Sequence, residues 1–152
     1  MEQKKYKIIL ADDHDIMLDG LSGIINTEND LEIVALAGNG KELIEKVSLL
    51  KPDLCIVDLD MPVMTGLQAS EELVRKYPDI KIIILTMHKE KSLVKRLKAI
   101  GIKGYVTKTC DSDELIYAIR KILKGKVFFS DEIISEMIQQ DESESSDLAR
   151  IS

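Results

Sequence analysis

The chain has 152 residues, 45% hydrophobic and 32% charged, the profile of an ordinary globular protein long enough to bury a sizeable core. Its net charge of −6 comes entirely from residues 130–152, where seven acids face Arg150, while the first 129 residues hold 20 basic and 20 acidic side chains. No run approaches the roughly 18 apolar residues of a membrane span, and the basic start "MEQKKYK" leads into an apolar run too short for a signal peptide.

The first apolar run, Ile8–Ala11, is short and β-branched, as a buried strand should be, and it stops at Asp12 and Asp13. Met17, Leu21, Ile24 and Ile25 then supply a helical stripe. Ile33–Ala37 follows, and Leu43, Ile44, Val47 and Leu50 return to helical spacing. The third run, Leu54–Val57, ends at Asp58 and Asp60 in "VDLDMPVMTG", ahead of a face made by Leu67, Ser70, Leu73, Val74 and Tyr77 and closed by Pro78. Ile82–Leu85 ends at Thr86, with His88 close behind, and Leu93, Val94, Leu97 and Ile100 form the next stripe. Tyr105–Val106 ends at Lys108. Asp111 and Glu114 then make a start like a capping box for Leu115, Ile116, Ile119, Ile122 and Leu123, which Gly125 terminates.

Five strands alternating with five helices predict a doubly wound α/β protein, a parallel sheet with helices on both faces. Such sheets place their sites at the carboxyl ends of the strands. Gathered there are Asp12, Asp13, Asp58, Asp60, Thr86 and Lys108. Several carboxylates in one mouth need a counter-charge, and Mg²⁺, a hard cation that prefers oxygen ligands, supplies one. With the ammonium of Lys108 and the hydroxyl of Thr86, the set suits a grip on a transferring phosphoryl group. The lone cysteines, Cys55 and Cys110, form no C-x-x-C pair, so a reduced, cytoplasmic setting is expected. With two histidines in the chain, neither at ligand spacing from a cysteine, structural zinc is not expected.

The ordered segments "ADDHD", "VDLDMPVMTG", "LTMH" and "GYVTKT" resemble the signature of the receiver domain of bacterial two-component response regulators, over residues 5 to 126. The resemblance implies a flavodoxin-like five-stranded sheet of order 2-1-3-4-5. It also implies a signalling switch rather than an enzyme. Asp58 would be the phosphoacceptor, taking its phosphoryl group from a sensor histidine kinase. Asp13 and Asp58 would bind Mg²⁺ through side chains, Asp12 would assist, partly through water, and Asp60 would contribute its backbone carbonyl. Lys108 would pair with phosphoryl oxygens, Thr86 would hydrogen-bond the group and move toward it, and Tyr105 would change rotamer with Thr86. Gly66 and Pro62 would shape the loop after the acceptor. Many receivers carry proline after the lysine; this chain has Thr109. The carboxylate of Asp60 and the ring of His88 are expected to tune phosphoryl lifetime, because both should border the path of attacking water.

His14 reads as a solvated or helix-starting histidine. Six basic residues in "HKEKSLVKRLKAIGIK" read as a solvated or partner-facing surface, since no aromatic residues interleave them for stacking on bases. Residues 127–152 divide from the receiver as a short amphipathic helix (Ser130 as N-cap, then Ile133, Ile134, Met137 and Ile138) and the acidic linker "DESESSD". This passage resembles the subfamily named for NarL and FixJ, whose helix-turn-helix DNA-binding domain would begin about where the chain stops. Transcription regulation, DNA contact through that domain alone and a homodimer on phosphorylation are what the resemblance implies. The alternative is a haloacid-dehalogenase-like phosphatase using Asp58 and Asp60 as its D-x-D pair, although that motif usually opens a chain. A flavodoxin-type binding module needs a hydroxyl- and glycine-rich loop where this sequence has acids.

Overall fold

Alternation along each apolar run fills two faces of one sheet. The computed structural model describes residues 4–135 and residue 138. Its elements are β1 (Tyr6–Ala11), α1 (Asp15–Asn26), β2 (Leu31–Ala37), α2 (Gly40–Leu50), β3 (Leu54–Asp58), α3 (Gly66–Lys76), β4 (Ile82–Thr86), α4 (Lys91–Ala99), β5 (Gly104–Thr107), α5 (Ser112–Leu123) and β6 (Phe128–Phe129). All strand pairs are parallel, in the order β2-β1-β3-β4-β5-β6. The flavodoxin-like architecture agrees with the expected one, but the sheet has six strands instead of five. The added strand is two residues long, too short to show a period. It is held by backbone bonds to β5, not by its own pattern: Phe128 N–H donates to the Lys103 carbonyl at 2.9 Å and Ser130 N–H to the Tyr105 carbonyl at 2.8 Å.

Successive strand residues point to opposite faces. Ile8, Leu10, Leu54, Ile56, Ile83, Leu85 and Val106 pack with Leu18 and Ile25 of α1 and Leu115, Ile119 and Ile122 of α5. Ile9, Cys55, Val57, Ile82, Ile84 and Tyr105 face Leu43 and Val47 of α2, Leu73 of α3, and Val94 and Leu97 of α4. Both faces are buried, which explains why the strands read as continuous apolar runs.

The helices start where side chains satisfy their free N–H groups. Asn39 accepts from Glu42 N–H at 2.9 Å, and Asp111 from Glu114 N–H at 2.8 Å. Thr65 and Gln68 form a reciprocal capping box. After β6, residues 131–135 are helical, and Ile133 is fully buried against the α2–α4 side of the sheet. Met137 and the acidic linker lie outside the described residues. Among those residues no peptide bond is cis, Lys108–Thr109 included.

Gly66, the first residue of α3, lets that helix approach the end of β3. A Cβ there would stand 2.1 Å from the Asp58 carbonyl oxygen and 2.8 Å from Leu59 Cα, both backbone atoms that cannot swing aside. Gly66→Ala is therefore expected to destabilise the fold by about 2–3 kcal/mol. Gly20, exposed in the middle of α1, has no atom within 4 Å of the same construction, and Gly20→Ala should stabilise by about 0.5–1 kcal/mol. Urea unfolding of both variants checks the pair; equal effects would contradict this account of the α3–β3 approach.

Candidate functional site

The strand order reverses between β1 and β3, and the carboxyl ends of those two strands hold Asp12 and Asp58. Pleat parity aims both side chains to the α1/α5 side, in step with Ile8, Leu10, Leu54 and Ile56. Lys108, just past β5, continues the parity of Val106 and meets them: its Nζ is 3.0 Å from Asp58 Oδ2 and 3.2 Å from Asp12 Oδ2. Asp12 and Asp58 are each only 1% exposed. One ammonium serves both Oδ2 atoms as an ion pair, so acceptor capacity remains on the two carboxylates.

The two carboxylates differ in their donors. Burial acts to raise the Asp12 carboxyl, but the His14 backbone N–H at 2.9 Å, the His14 ring and Lys108 outweigh it and hold Asp12 below its ordinary range. Burial dominates at Asp58 and holds it above its ordinary value, helped by the charge of Asp12 and opposed by Lys108 and a long 3.3 Å bond from Asp60 N–H. Burial alone would lower Lys108, yet Asp58 and Asp12 raise it. The lysine is thus firmly cationic, and Asp58 is the less well solvated anion of the two.

His14 caps α1 from an extended backbone without a side-chain cap bond. Its Nδ1 sits 2.9 Å from Asp12 Oδ1 and 3.2 Å from Asp13 Oδ1. Asp12, Asp13, His14 and Asp58 offer ligand atoms within 4.8 Å of one another, a group that could hold a metal ion. His14 thus stands where a helix-starting histidine is expected, its side chain 65% exposed, while its Nδ1 still reaches the two acids.

Thr86 and Tyr105 have the opposite parity and belong to the α2–α4 side. Thr86 is 3% exposed, and its Oγ1 accepts from the His88 backbone N–H at 2.9 Å. Tyr105 is buried, its hydroxyl donates to the Ile102 carbonyl, and burial pushes its phenol up. The structure thus brings Asp12, Asp13, Asp58 and Lys108 together and holds Thr86 and Tyr105 on the other side of the sheet. The Asp60 side chain is 66% exposed and points away from Asp58 to His88, whose Nε2 lies 2.8 Å from Asp60 Oδ2. That bond joins the β3–α3 loop to the β4–α4 loop and raises the His88 imidazole. Val63, on the same β3–α3 loop, is held at φ +67°, a conformation that β-branched residues rarely take.

Comparison with known proteins identifies the family. Residues 8–120 match the model of the response regulator receiver domain. The chain is 30% identical to the transcriptional regulatory protein DegU of Brevibacillus brevis over 97% of its own length and 66% of that protein. It is 36% identical to the oxygen regulatory protein NreC of Staphylococcus aureus over 88% of its length and 62% of NreC. It therefore spans about two thirds of the curated relatives it matches. Among solved structures, a LuxR-family two-component response regulator from Aurantimonas sp. SI85-9A1 superposes with a TM-score of 0.86 at 30% identity, covering 91% of this chain and 99% of that one. The haloacid-dehalogenase-like alternative finds no support in these matches or in an Asp60 turned away from Asp58. The chain belongs to the response regulator receiver family, among homologues of the NarL, DegU and LuxR type.

Proposed function

We propose that Asp58 accepts a phosphoryl group from the phosphohistidine of a sensor kinase and that the acyl phosphate switches an output, the regulation of transcription. The observation that carries this is the buried Asp58 carboxylate at the end of β3, its Oδ2 3.0 Å from Lys108. A carboxylate held above its ordinary range keeps a reactive lone pair. Asp12, with more donors, is the stabilised partner. In the transfer an Asp58 oxygen attacks phosphorus, the P–N bond breaks, and the imidazole nitrogen leaves with the electron pair and takes a proton from solvent. Hydrolysis reverses the state: water adds to phosphorus, the bond to Asp58 breaks, and inorganic phosphate departs.

The residues fit a magnesium ion: three of the four side chains in the group, Asp12, Asp13 and Asp58, are hard carboxylates, and one ammonium leaves the two buried ones with acceptor capacity to spare. Asp12, Asp13 and Asp58 would hold it, with the Asp60 carbonyl. When bound, it neutralises charge on the transferring oxygens. Lys108 orients the acceptor and would balance charge on the transferred group. Thr86 stands ready to turn its hydroxyl toward the new group, and Tyr105 to follow. Ile16, Val63 and Met87, all at the carboxyl end of the sheet and 89%, 81% and 56% exposed, offer the kinase an apolar rim.

Intact-mass measurement after acetyl phosphate treatment tests the acceptor. Wild type with Mg²⁺ should gain about 80 Da, one phosphoryl group, and Asp58→Asn should gain nothing; an adduct surviving that substitution would refute the assignment.

The Asp60–His88 contact sets the lifetime. His88 covers the water path and ties up a carboxylate that would otherwise act as general base. His88→Ala should shorten the acyl-phosphate half-life at least about threefold, and adding Asp60→Asn to His88→Ala should restore most of it. Unchanged half-lives would remove the pair from the mechanism.

The pH dependence follows from the sign of the shift. Asp60 raises the His88 pKa, so the ion pair is complete below the ordinary histidine value of about 6.5. It is lost as pH climbs through the raised value in the folded protein. The wild-type half-life should therefore fall with rising pH across that window, while His88→Ala stays flat; parallel profiles would contradict the account.

A further inference from the structure

The segment after α5 is built onto the side of the sheet that carries Thr86 and Tyr105. Phe129 lies flat on Tyr105, ring centroids 4.6 Å apart and planes 8° from parallel. Lys98 Nζ of α4 sits 5.3 Å from the Phe129 centroid. Ser130 Oγ accepts from Thr107 N–H at 3.0 Å. Glu132 reaches further. Its carboxylate accepts from Thr109 Oγ1 at 3.1 Å and meets Lys89 Nζ at 3.2 Å. Thr109 directly follows Lys108, the partner of Asp58. Lys89 directly follows His88, whose N–H is bound to Thr86 Oγ1. One exposed carboxylate thus joins the loop that carries Lys108 to the loop that follows Thr86.

We propose that Glu132 is a positioning residue, a clasp across these two loops, and that phosphorylation of Asp58 opens it and loosens β6. The proposal rests on the phosphoacceptor reading above. Its direction comes from topology. Asp58 ends β3, on one side of β4 and β5, and β6 lies on the other. A group on Asp58 that draws in Thr86 pulls the β4–α4 loop toward β3 and away from β6, whereas Lys108 already stands 3.0 Å from Asp58. Lys89 then leaves Glu132, and Thr109 alone cannot hold the clasp shut. The Thr109 hydroxyl is the handle for the clasp on the lysine side; a proline at that position would offer none. Because Lys89 and Glu132 are 43% and 48% exposed, their pairing contributes little to static stability, so breaking it leaves the fold intact. Coupling of this kind is reciprocal: what phosphorylation does to the clasp, loss of the clasp does to the affinity for a phosphoryl group.

Hydrogen exchange at the amides of Phe128, bonded to Lys103 just before β5, and Ser130, bonded to Tyr105 of β5, reads the strand, with beryllium trifluoride and Mg²⁺ as the phosphoryl mimic. In wild type, adding the mimic should speed exchange at both amides by about fivefold or more. In Glu132→Gln and in Thr109→Val the amides should exchange faster without the mimic, which should bind at least about threefold tighter. Asp131→Asn, which removes the neighbouring charge, should match wild type in both readouts. Faster exchange in the clasp variants with unchanged mimic affinity would show a merely structural contact and overturn the proposal. So would a mimic that binds wild type and leaves both amides unchanged, although the phosphoacceptor reading would then stand. A wild type that takes up neither mimic nor acetyl phosphate would overturn both.

Discussion

One partly buried ammonium between two buried carboxylates is the constraint on which the rest depends. Two anions that approach the same nitrogen within 3.2 Å, each 1% exposed, cannot both persist without it. Lys108 satisfies them only partly, since two negative charges face one positive one. The remaining imbalance gives the site its character. It leaves Asp58 poorly stabilised, leaves oxygen atoms with spare acceptor capacity, and favours the arrival of a further cation. No single strand creates this. It arises because β1, β3 and β5 run parallel and end at one edge.

Pleat parity divides the labour between the faces of the sheet. The acids and the lysine lean toward α1 and α5, whereas Thr86 and Tyr105 lean toward α2, α3 and α4. Any event at Asp58 must therefore cross the sheet to be read, and the route runs over the strand ends through the loops after β4 and β5. Those loops are tied twice, by His88 to Asp60 on the β3 side and by Lys89 and Thr109 to Glu132 on the β6 side. In the proposed switch, the first tie guards the lifetime of the modification and the second carries its signal outward.

What could be read from residues alone followed from strong local periods. Ile8–Ala11, Leu54–Val57 and Ile82–Leu85 announce strands because both faces are buried, and the stripe from Leu115 to Leu123 announces α5. Phe128–Phe129 could not be recognised, because a two-residue strand shows no alternation. Arg120 shows the same limit among charged groups. It grips Asp30 at 2.8 and 3.0 Å and Glu28 at 3.0 Å, holding α5 to the α1–β2 turn. Nothing local in "AIRKIL" points to partners 90 residues away.

Local pattern alone set which chemical groups would reach the sheet's carboxyl edge, because the first, third and fourth apolar runs end directly at Asp12, Asp58 and Thr86, and the fifth ends two residues before Lys108. It also determined the winding, since strict alternation of strand and helix leaves few other topologies. Only the tertiary structure decided how those groups divide: Asp12 against Asp58 by their donors, Asp60 away from Asp58 and onto His88, and Glu132 onto two loops remote from it in sequence. The reason is physical. Periodicity sets the face on which a side chain emerges, but its rotamer and partner are chosen by whatever the packed neighbours present, and those neighbours come from distant parts of the chain.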